Sequence, residues 1–281
     1  MPTIPADNPS AFPTIHGSGQ TKKPLIGLTI DVVNTQENPD NTWYSEYTWY
    51  ALGKRYSDSI SRAGGVPILL CSDVQNTKTY ANILDGLLIT GVGSRIDPAF
   101  CAEPVDRRSK AANHEKTQFE FAITHSMIQQ NKPILGINVG MHIINIIRDG
   151  TLAPCLHQYL PMHAASHAVR VLGSSMLHSL STIAQGIRGA CPESAENMVA
   201  PSNLADDFLV ETNSYHNQAI GKLGKNLRVN AIAADGVVEG IEAVEPDVNF
   251  CIGVQWNAEF LINDLDYALF CAFVQKAGQT K

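Results

Sequence analysis

The sequence predicts an α/β protein with a mainly parallel central sheet flanked by helices, and with additional antiparallel strands in its C-terminal half. Before Gly150, short apolar runs alternate with amphipathic stretches, which is typical of parallel strands joined by helices. After Gly150 the segments become short and are separated by turn residues, which is typical of antiparallel or edge strands. At the end of the first region, the run 132–145 (KPILGINVGMHIIN) has the pattern of a buried strand, a tight turn and a helix.

Composition describes an ordinary globular protein. The chain has 281 residues, of which 44% are hydrophobic and 17% are charged, so it can bury one large α/β core or two smaller ones. The net charge is −7 and lysines and arginines form no run, which argues against nucleic acid or an anionic membrane as a partner. A small molecule or another protein is the expected partner.

The N-terminal region is rich in proline, serine and threonine and lacks the apolar core of a signal peptide. We interpret residues 1–22 as a flexible tail and residues 23–281 as a single domain, because no internal repeat divides the rest. No apolar segment approaches the roughly 20 residues needed to span a bilayer. The six cysteines lack CxxC spacing, and several lie in apolar runs. They favour reduced, mostly buried thiols in a cytoplasmic protein.

The first half of the chain predicts four strands and the helices between them. Glycine is the usual helix stop, so the helix through Tyr56 and Ile60 should end at Gly64. A long helix is expected over 113–130. The predicted strands cover 25–31, 66–71, 85–90 and 133–137.

An aromatic cluster lies in the segment 32–50, which is predicted to be irregular. Its members are Trp43, Tyr44, Tyr47, Trp49 and Tyr50. A loop that covers the core is the favoured interpretation, and an aromatic ligand wall or a dimer surface is the alternative.

The second half predicts short strands and a closing helix over 265–275. The segment 174–203 contains one further possible helix. The strands are expected at 167–171, 208–211, 227–233, 237–242 and 250–255.

The turn in the run 132–145 should hold Asn138 up at the carboxyl end of the sheet, where open α/β folds keep their chemistry. Asparagine is a poor nucleophile and a poor base, because its nitrogen lone pair is delocalised into the carbonyl group. The turn is therefore typical of a catalytic site, while its central residue is not.

A series of sequence blocks resembles the class I glutamine amidotransferase-like fold, a flavodoxin-like architecture. The resemblance covers about residues 24–276 and is closest to the γ-glutamyl-γ-aminobutyrate hydrolase family, whose members cleave γ-glutamyl amides. The blocks are RAGGVPILL (62–70), DGLLITGVGSRIDP (85–98), KPILGINVGMHIIN (132–145), SHAVRV (166–171), NSYHNQAI (213–220), DGVVEGIE (235–242) and IGVQWNAEF (252–260).

The resemblance implies a triad in which two members are replaced. The family's elbow reads G-I-C-R-G-M-Q and its last strand ends in Q-W-H-P-E, which supply a cysteine nucleophile, a histidine base and a glutamate that orients the histidine. Here Asn138 stands at the cysteine position and Asn257 at the histidine position, while Glu259 is kept. Loss of either essential group typically lowers the rate by several orders of magnitude.

The resemblance also implies an oxyanion or ligand pocket. Its donor amides would fall near Val92, after Gly91, and at Val139. Val139 replaces the family's usual arginine, which removes a charge from the pocket mouth. Ser94 is a candidate replacement nucleophile, but no base is placed for it.

Several histidines form a loose set that could converge near this pocket. His142 stands one helical turn beyond Asn138, where the family usually has glutamine, and His216 precedes Gln218 in a block that runs beside the family's active site. His163 and His167 complete the set. None of the spacings is a recognised ligand pair, so we predict no metal and no cofactor.

The functional prediction is a catalytically inactive homologue of γ-glutamyl hydrolases. Its pocket would bind a small amino-acid-like or γ-glutamyl ligand, or the chain would bind a protein partner, and it could form a homodimer. The alternative is an active γ-glutamyl amide hydrolase or amidotransferase that uses Glu259, Ser94 or the histidines. A third hypothesis is a structural subunit whose pocket has collapsed.

Overall fold

A computed structural model describes residues 22–34, 48–91, 96–97, 100, 113–153, 166–186, 206–216, 218–244 and 250–279. In the N-terminal half the elements are β1 (Leu25–Thr29), β2 (Asp31–Asn34), β3 (Thr48–Ala51), α1 (Lys54–Arg62), β4 (Val66–Leu70), α2 (Thr77–Ile83), β5 (Gly86–Ile89), α3 (His114–Gln129), β6 (Ile134–Ile137) and α4 (Val139–Ile147). The C-terminal half contributes β7 (Leu152–Ala153), β8 (Ser166–Val171), α5 (Met176–Gly186), β9 (Phe208–Asn213), β10 (Ala219–Ile220), β11 (Leu227–Ala233), β12 (Val238–Ala243), β13 (Cys251–Val254) and α6 (Asp264–Gln279).

A nine-stranded sheet organises the fold, with the strand order β4-β1-β5-β6-β13-β12-β11-β8-β9. The strands from β4 to β13 pair in parallel, whereas those from β13 to β9 pair antiparallel. This arrangement confirms the predicted α/β class with a mainly parallel half followed by antiparallel strands.

Strand β13 corrects one expectation. The segment 250–255 was predicted to be an antiparallel or edge strand, but β13 lies in the middle of the sheet, parallel to β6 and antiparallel to β12. All of its residues are buried, as expected for a strand covered on both faces. A short apolar run does not reveal the direction of its neighbours, so the sequence alone did not place it.

The segment 32–50 is also more regular than predicted. Strands β2 and β3 pair antiparallel at its two ends, while residues 35–47, including Trp43, Tyr44 and Tyr47, lie outside the described residues. On β3, Trp49 is 41% exposed and Tyr50 is 49% exposed. These two rings therefore lie at the surface rather than in the core.

The core consists of two hydrophobic clusters, one on each face of the sheet. Alternate residues of a strand point to opposite faces, and Leu88 belongs to one cluster while Leu87 and Ile89 belong to the other. Helices α1, α5 and α6 pack on the first face, where Phe270 and Phe273 are buried. Helices α2, α3 and α4 pack on the second face.

Helix termini follow the local sequence. Asn113 caps α3, because its side-chain oxygen accepts a hydrogen bond from Lys116 N at 3.0 Å. Gly64 adopts a φ of 94° just after α1, as expected for a glycine stop. No helix of the described residues is both long and apolar enough to cross a membrane.

The cysteines are less uniformly buried than predicted. Cys251 is buried and Cys271 is half-buried, but Cys71 is exposed. These three thiols are free. Cys101, Cys155 and Cys191 lie outside the described residues.

Candidate functional site

The predicted elbow is present at the end of β6. Asn138 has a φ of 53° and a ψ of −108°, a conformation that is sparsely populated by residues other than glycine. Asn138 N donates to Val254 O at 2.8 Å, and Asn138 O accepts from Met141 N at 3.0 Å. The neighbouring strand and the first turn of α4 thus hold the strained turn in place. Helix α4 begins at Val139 rather than at Met141, where the apolar periodicity begins.

Two glycines allow the elbow to approach β5. A Cβ atom on Gly140 would overlap the carbonyl oxygen of Ile89. A Cβ atom on Gly91 would lie 2.6 Å from the Cβ atom of Asn138. Side chains at either position would push the end of β5 away from the turn.

Asn138 and Asn257 contact each other across the site. Asn138 Nδ2 donates to Asn257 Oδ1 at 3.3 Å and to the carbonyl oxygen of Tyr215 at 3.3 Å. Asn138 Oδ1 accepts from Gln255 Nε2 at 3.2 Å. Both donor hydrogens of Asn138 are used within the protein, whereas Asn257 Nδ2 has no acceptor in the described part of the chain.

Gln255 connects this amide pair to His142. Gln255 Oε1 lies 2.7 Å from His142 Nε2, and because Gln255 Nε2 already donates to Asn138, the proton of this bond is on His142 Nε2. Burial lowers the pKa of His142 to about 4, although the bond to Gln255 opposes the shift. The imidazole is therefore neutral near pH 7. Its Nδ1 is a buried acceptor without a partner among the described residues.

Two further histidines of the predicted set, His167 and His216, lie near a buried carboxylate on β12. His216 Nε2 lies 3.3 Å from Glu239 Oε1, and His167 Nε2 lies 3.7 Å from the same oxygen. His216 Nδ1 donates to the carbonyl oxygen of Gln218 at 2.8 Å. No group of three or more His, Cys, Asp or Glu side chains in the described ranges is arranged to hold a metal ion. His163 lies outside those ranges.

Glu259 lies in a 3-10 helix, Ala258–Phe260, that follows β13. The residue is 6% exposed, and within the described residues its Oε2 atom has no hydrogen-bond partner. Burial raises the pKa of Glu259 to about 7, although the Tyr56 hydroxyl and the positive charge of Arg55 oppose the shift. Glu259 thus interacts with α1, and its carboxyl does not bond to the side chain of Asn257.

Tyr56 connects Glu259 to the end of β5. Its hydroxyl oxygen accepts from Gly91 N at 3.1 Å, so this backbone donor is already used. The first donors within α4 are Met141 N and His142 N, and Val139 N has no acceptor among the described residues, as expected for the first N–H group of a helix. The other expected oxyanion donor, Val92, lies outside the described residues, as does Ser94.

Three residues of this arrangement were not singled out from the sequence. Gln255 and Glu239 lie within the quoted blocks, and Tyr56 lies on a predicted helix. The period of a strand tells which residues share a face, but not which face meets the elbow. The available signal for Gln255 was its position in the block IGVQWNAEF, two residues before Asn257.

Comparisons with known proteins identify the family of this chain. Residues 24–259 match the model of the peptidase C26 family. A glutamine amidotransferase-like protein of Rickettsia prowazekii is 31% identical over 280 residues, covering 90% of this chain and 98% of the relative. Gamma-glutamyl-gamma-aminobutyrate hydrolase PuuD of Escherichia coli strain K12 is 27% identical over 235 residues, covering 78% of this chain and 81% of the relative.

A solved structure is similar in fold. The glutaminase domain of Trypanosoma brucei CTPS with bound acivicin has a TM-score of 0.57 and 12% sequence identity, covering 92% of this chain and 94% of that one. At this identity the likeness concerns the fold alone. Together with the family match, these findings establish that the chain belongs to the peptidase C26 family and has a class I glutamine amidotransferase fold.

Proposed function

We propose that this chain is a non-hydrolysing member of its family, whose elbow site binds a small amino-acid-like or γ-glutamyl molecule. One observation carries the proposal: the side chains of Asn138 and Asn257 hydrogen-bond to each other at 3.3 Å. In the γ-glutamyl hydrolases that this chain resembles, the matching positions hold the nucleophilic cysteine and the histidine base. A neutral amide pair therefore takes the place of a thiol and an imidazole.

The amide pair lacks the groups that amide hydrolysis requires. A thiolate attacks the amide carbon because its lone pair is available, and an imidazole can take up the released proton near pH 7. Neither carboxamide can attack the amide carbon or take up the released proton near pH 7. Both donor hydrogens of Asn138 are also occupied, by Asn257 Oδ1 and Tyr215 O.

The site keeps polar groups that can bind a small molecule. Asn257 Nδ2 can donate to a ligand oxygen, and Val139 N lies at the N-terminus of α4, where the helix dipole favours a carbonyl oxygen or an anion. The retained Glu259 can accept a hydrogen bond or, when protonated, donate one. A glutamine-like molecule carries the amide and carboxylate groups that match these partners.

A binding screen and a turnover assay test the proposal together. Thermal-shift measurements would use glutamine, γ-glutamyl-γ-aminobutyrate, other γ-glutamyl amides and polyamine derivatives. At about 100 times the dissociation constant, a bound compound adds about 2.7 kcal/mol to the free energy of unfolding. The same compounds should release no ammonia or amine above background. Turnover that Asn138→Ala abolishes would overturn the proposal.

The second candidate is a hydrolase with rearranged chemistry, favoured by the carboxyl group of Glu259. A buried carboxyl with a pKa of about 7 is suited to general acid or base work near neutral pH. This candidate predicts turnover that disappears in Glu259→Ala or His216→Ala and persists in Asn138→Ala. If one of the compounds stabilises the protein and none is turned over, the binding function is favoured instead.

A further inference from the structure

We propose that Arg55 is the anion-recognising residue of the elbow site and that its guanidinium binds a carboxylate of the bound small molecule. This inference rests on the proposed binding function and adds the chemical class of the ligand: an anion held at the α1 side of the elbow.

Arg55 is held at the rim of the site by an aromatic ring. It is the second residue of α1 and is half-buried, and its Cζ atom lies 4.8 Å from the centroid of the Phe260 ring. A guanidinium over an aromatic face is stabilised electrostatically and loses side-chain freedom. Phe260 is 38% exposed, so the pair is open to solvent. The charge is thus preorganised at a place that a ligand can reach.

The four polar side chains on the amide side of the site carry no positive charge. Asn138, Asn257 and Gln255 are neutral amides, and His142 is neutral near pH 7 because burial lowers its pKa to about 4. By resemblance, Val139 stands where the family has arginine after the nucleophile. Arg55 supplies a cation from a different element. Its planar guanidinium is better suited to bidentate binding of a carboxylate than the ammonium of a lysine.

Glu259 couples anion binding to pH. The charged and titratable groups that face it are Arg55 and Tyr56 from α1 and Asp266 from α6. Burial raises the pKa of Asp266 to about 8, and the Glu259 carboxyl contributes to that increase, so both acids hold protons at mildly acidic pH. A protonated Glu259 leaves the charge of Arg55 available to a ligand carboxylate. An ionised Glu259 competes for that charge and repels the ligand.

The test uses two probes that differ in one group. L-glutamine carries an α-carboxylate, and L-glutaminamide carries a neutral carboxamide at the same place. Titration calorimetry at about pH 6, below the Glu259 pKa of about 7, should give tighter binding of L-glutamine. Arg55→Met, which keeps most of the apolar stem, should weaken L-glutamine binding by about tenfold or more and remove the preference.

Lys54→Met is the matched control. Lys54 precedes Arg55 in the same helix, and its ammonium pairs with Asp58 at 2.6 Å on the exposed side of α1. Its removal deletes the same charge one residue away and should change L-glutamine affinity by less than about twofold. Equal losses in both variants would show a general charge effect and overturn the inference.

A pH series adds a second readout. Between about pH 6 and about pH 8, on either side of the Glu259 pKa of about 7, wild-type affinity for L-glutamine should fall. In Glu259→Gln the affinity should be nearly independent of pH. Equal binding of both probes by the wild-type protein, or binding of neither, would overturn the role of Arg55. The proposed binding function would fail separately, if no γ-glutamyl compound or polyamine derivative stabilised the protein.

Discussion

The two sides of the elbow site satisfy their polar groups in different ways. On one side, Asn138, Asn257, Gln255 and His142 form a continuous chain of hydrogen bonds between neutral groups. On the other side, Glu259 is buried with one oxygen unpartnered among the described residues, and its pKa is raised to about 7. The first side resists changes of pH between 5 and 8, while the second changes its charge within that range.

This difference separates stabilising parts from parts available to a ligand. A satisfied buried network makes the site rigid, because breaking any bond leaves a desolvated polar atom. An unpartnered buried carboxyl decreases stability when it ionises, and such groups are often found where a ligand or substrate acts. The amide side therefore holds the elbow in shape, and the carboxyl side with Arg55 is where we expect a ligand to be recognised.

The largest expected effect comes from replacing the neutral side by a titratable one. Asn138→Cys combined with Asn257→His should introduce γ-glutamyl amide hydrolysis on the order of 10³-fold above the wild-type background, because a nucleophile and a base then face each other. Release of γ-aminobutyrate from γ-glutamyl-γ-aminobutyrate measures it. Asn257→His alone is the control and should stay inactive. An inactive double variant that folds and binds ligand would contradict the idea that only these two groups are missing.

Breaking the amide side should cost stability. Gln255→Leu removes the group that bonds to both Asn138 Oδ1 and His142 Nε2, leaving two buried polar atoms unsatisfied. We expect the free energy of unfolding to fall by about 2–5 kcal/mol in urea denaturation. Gln129→Leu, which removes an exposed glutamine of α3, should change it by less than about 0.5 kcal/mol. A Gln255→Leu protein of wild-type stability would mean that the chain of bonds does not hold the elbow.

Neutralising the carboxyl side should increase stability at neutral and alkaline pH. Because burial raises the pKa of Glu259 from its ordinary value of 4.5 to about 7, the folded state binds the proton more tightly, and stability is lost as pH rises from about 4.5 through 7. Glu259→Gln removes this loss and should be more stable than wild type by up to about 3 kcal/mol near pH 8, with no gain near pH 4.

Urea denaturation at several pH values measures the difference. Glu211→Gln, an exposed glutamate of β9, serves as the control and should give a small difference that does not grow with pH. A Glu259→Gln gain that stays constant from about pH 4 to about pH 8 would contradict the raised pKa.

The smallest effect is expected where the carboxyl side meets β5. Tyr56→Phe removes the acceptor for Gly91 N and a partner of Glu259, while keeping the buried ring. Loss of this hydrogen bond should lower the free energy of unfolding by about 1 kcal/mol. It should also raise the pKa of Glu259 further, shifting the pH dependence of L-glutamine binding to higher pH. An unchanged pH profile of L-glutamine binding would contradict an effect of the Tyr56 hydroxyl on the pKa of Glu259.

Sequence patterns predicted most of the framework. The apolar runs and their glycine stops placed β1, β4, β5 and β6 within a residue or two, and the elbow followed from the strand, turn and helix pattern at Asn138. The missed details concern neighbours: the central position of β13 and the β2–β3 pairing depend on strands distant in the chain.

The candidate site residues could be named from the sequence, but their hydrogen bonds could not. Asn138 followed from the strand, turn and helix pattern, whereas Asn257 and Glu259 were named because the blocks that contain them resemble the family's motifs. Their partners could not be named, because Gln255 approaches Asn138 and Tyr56 approaches Glu259 only after distant strands and helices pack together. Long-range hydrogen bonds depend on side-chain direction, which periodicity gives only as one of two faces.

The sequence by itself determined the α/β class and the tight turn at Asn138, because both follow from local periodicity, while the resemblance of its blocks to the family implied Asn257 as a second amide of the candidate site. Only the tertiary structure decided that Asn138 bonds to Asn257 and that Glu259 turns toward Tyr56 and Arg55. Burial then set the charges, since desolvation raises the pKa of Glu259 and lowers that of His142. The burial of each group therefore decides whether it is neutral, and hence what the site can bind.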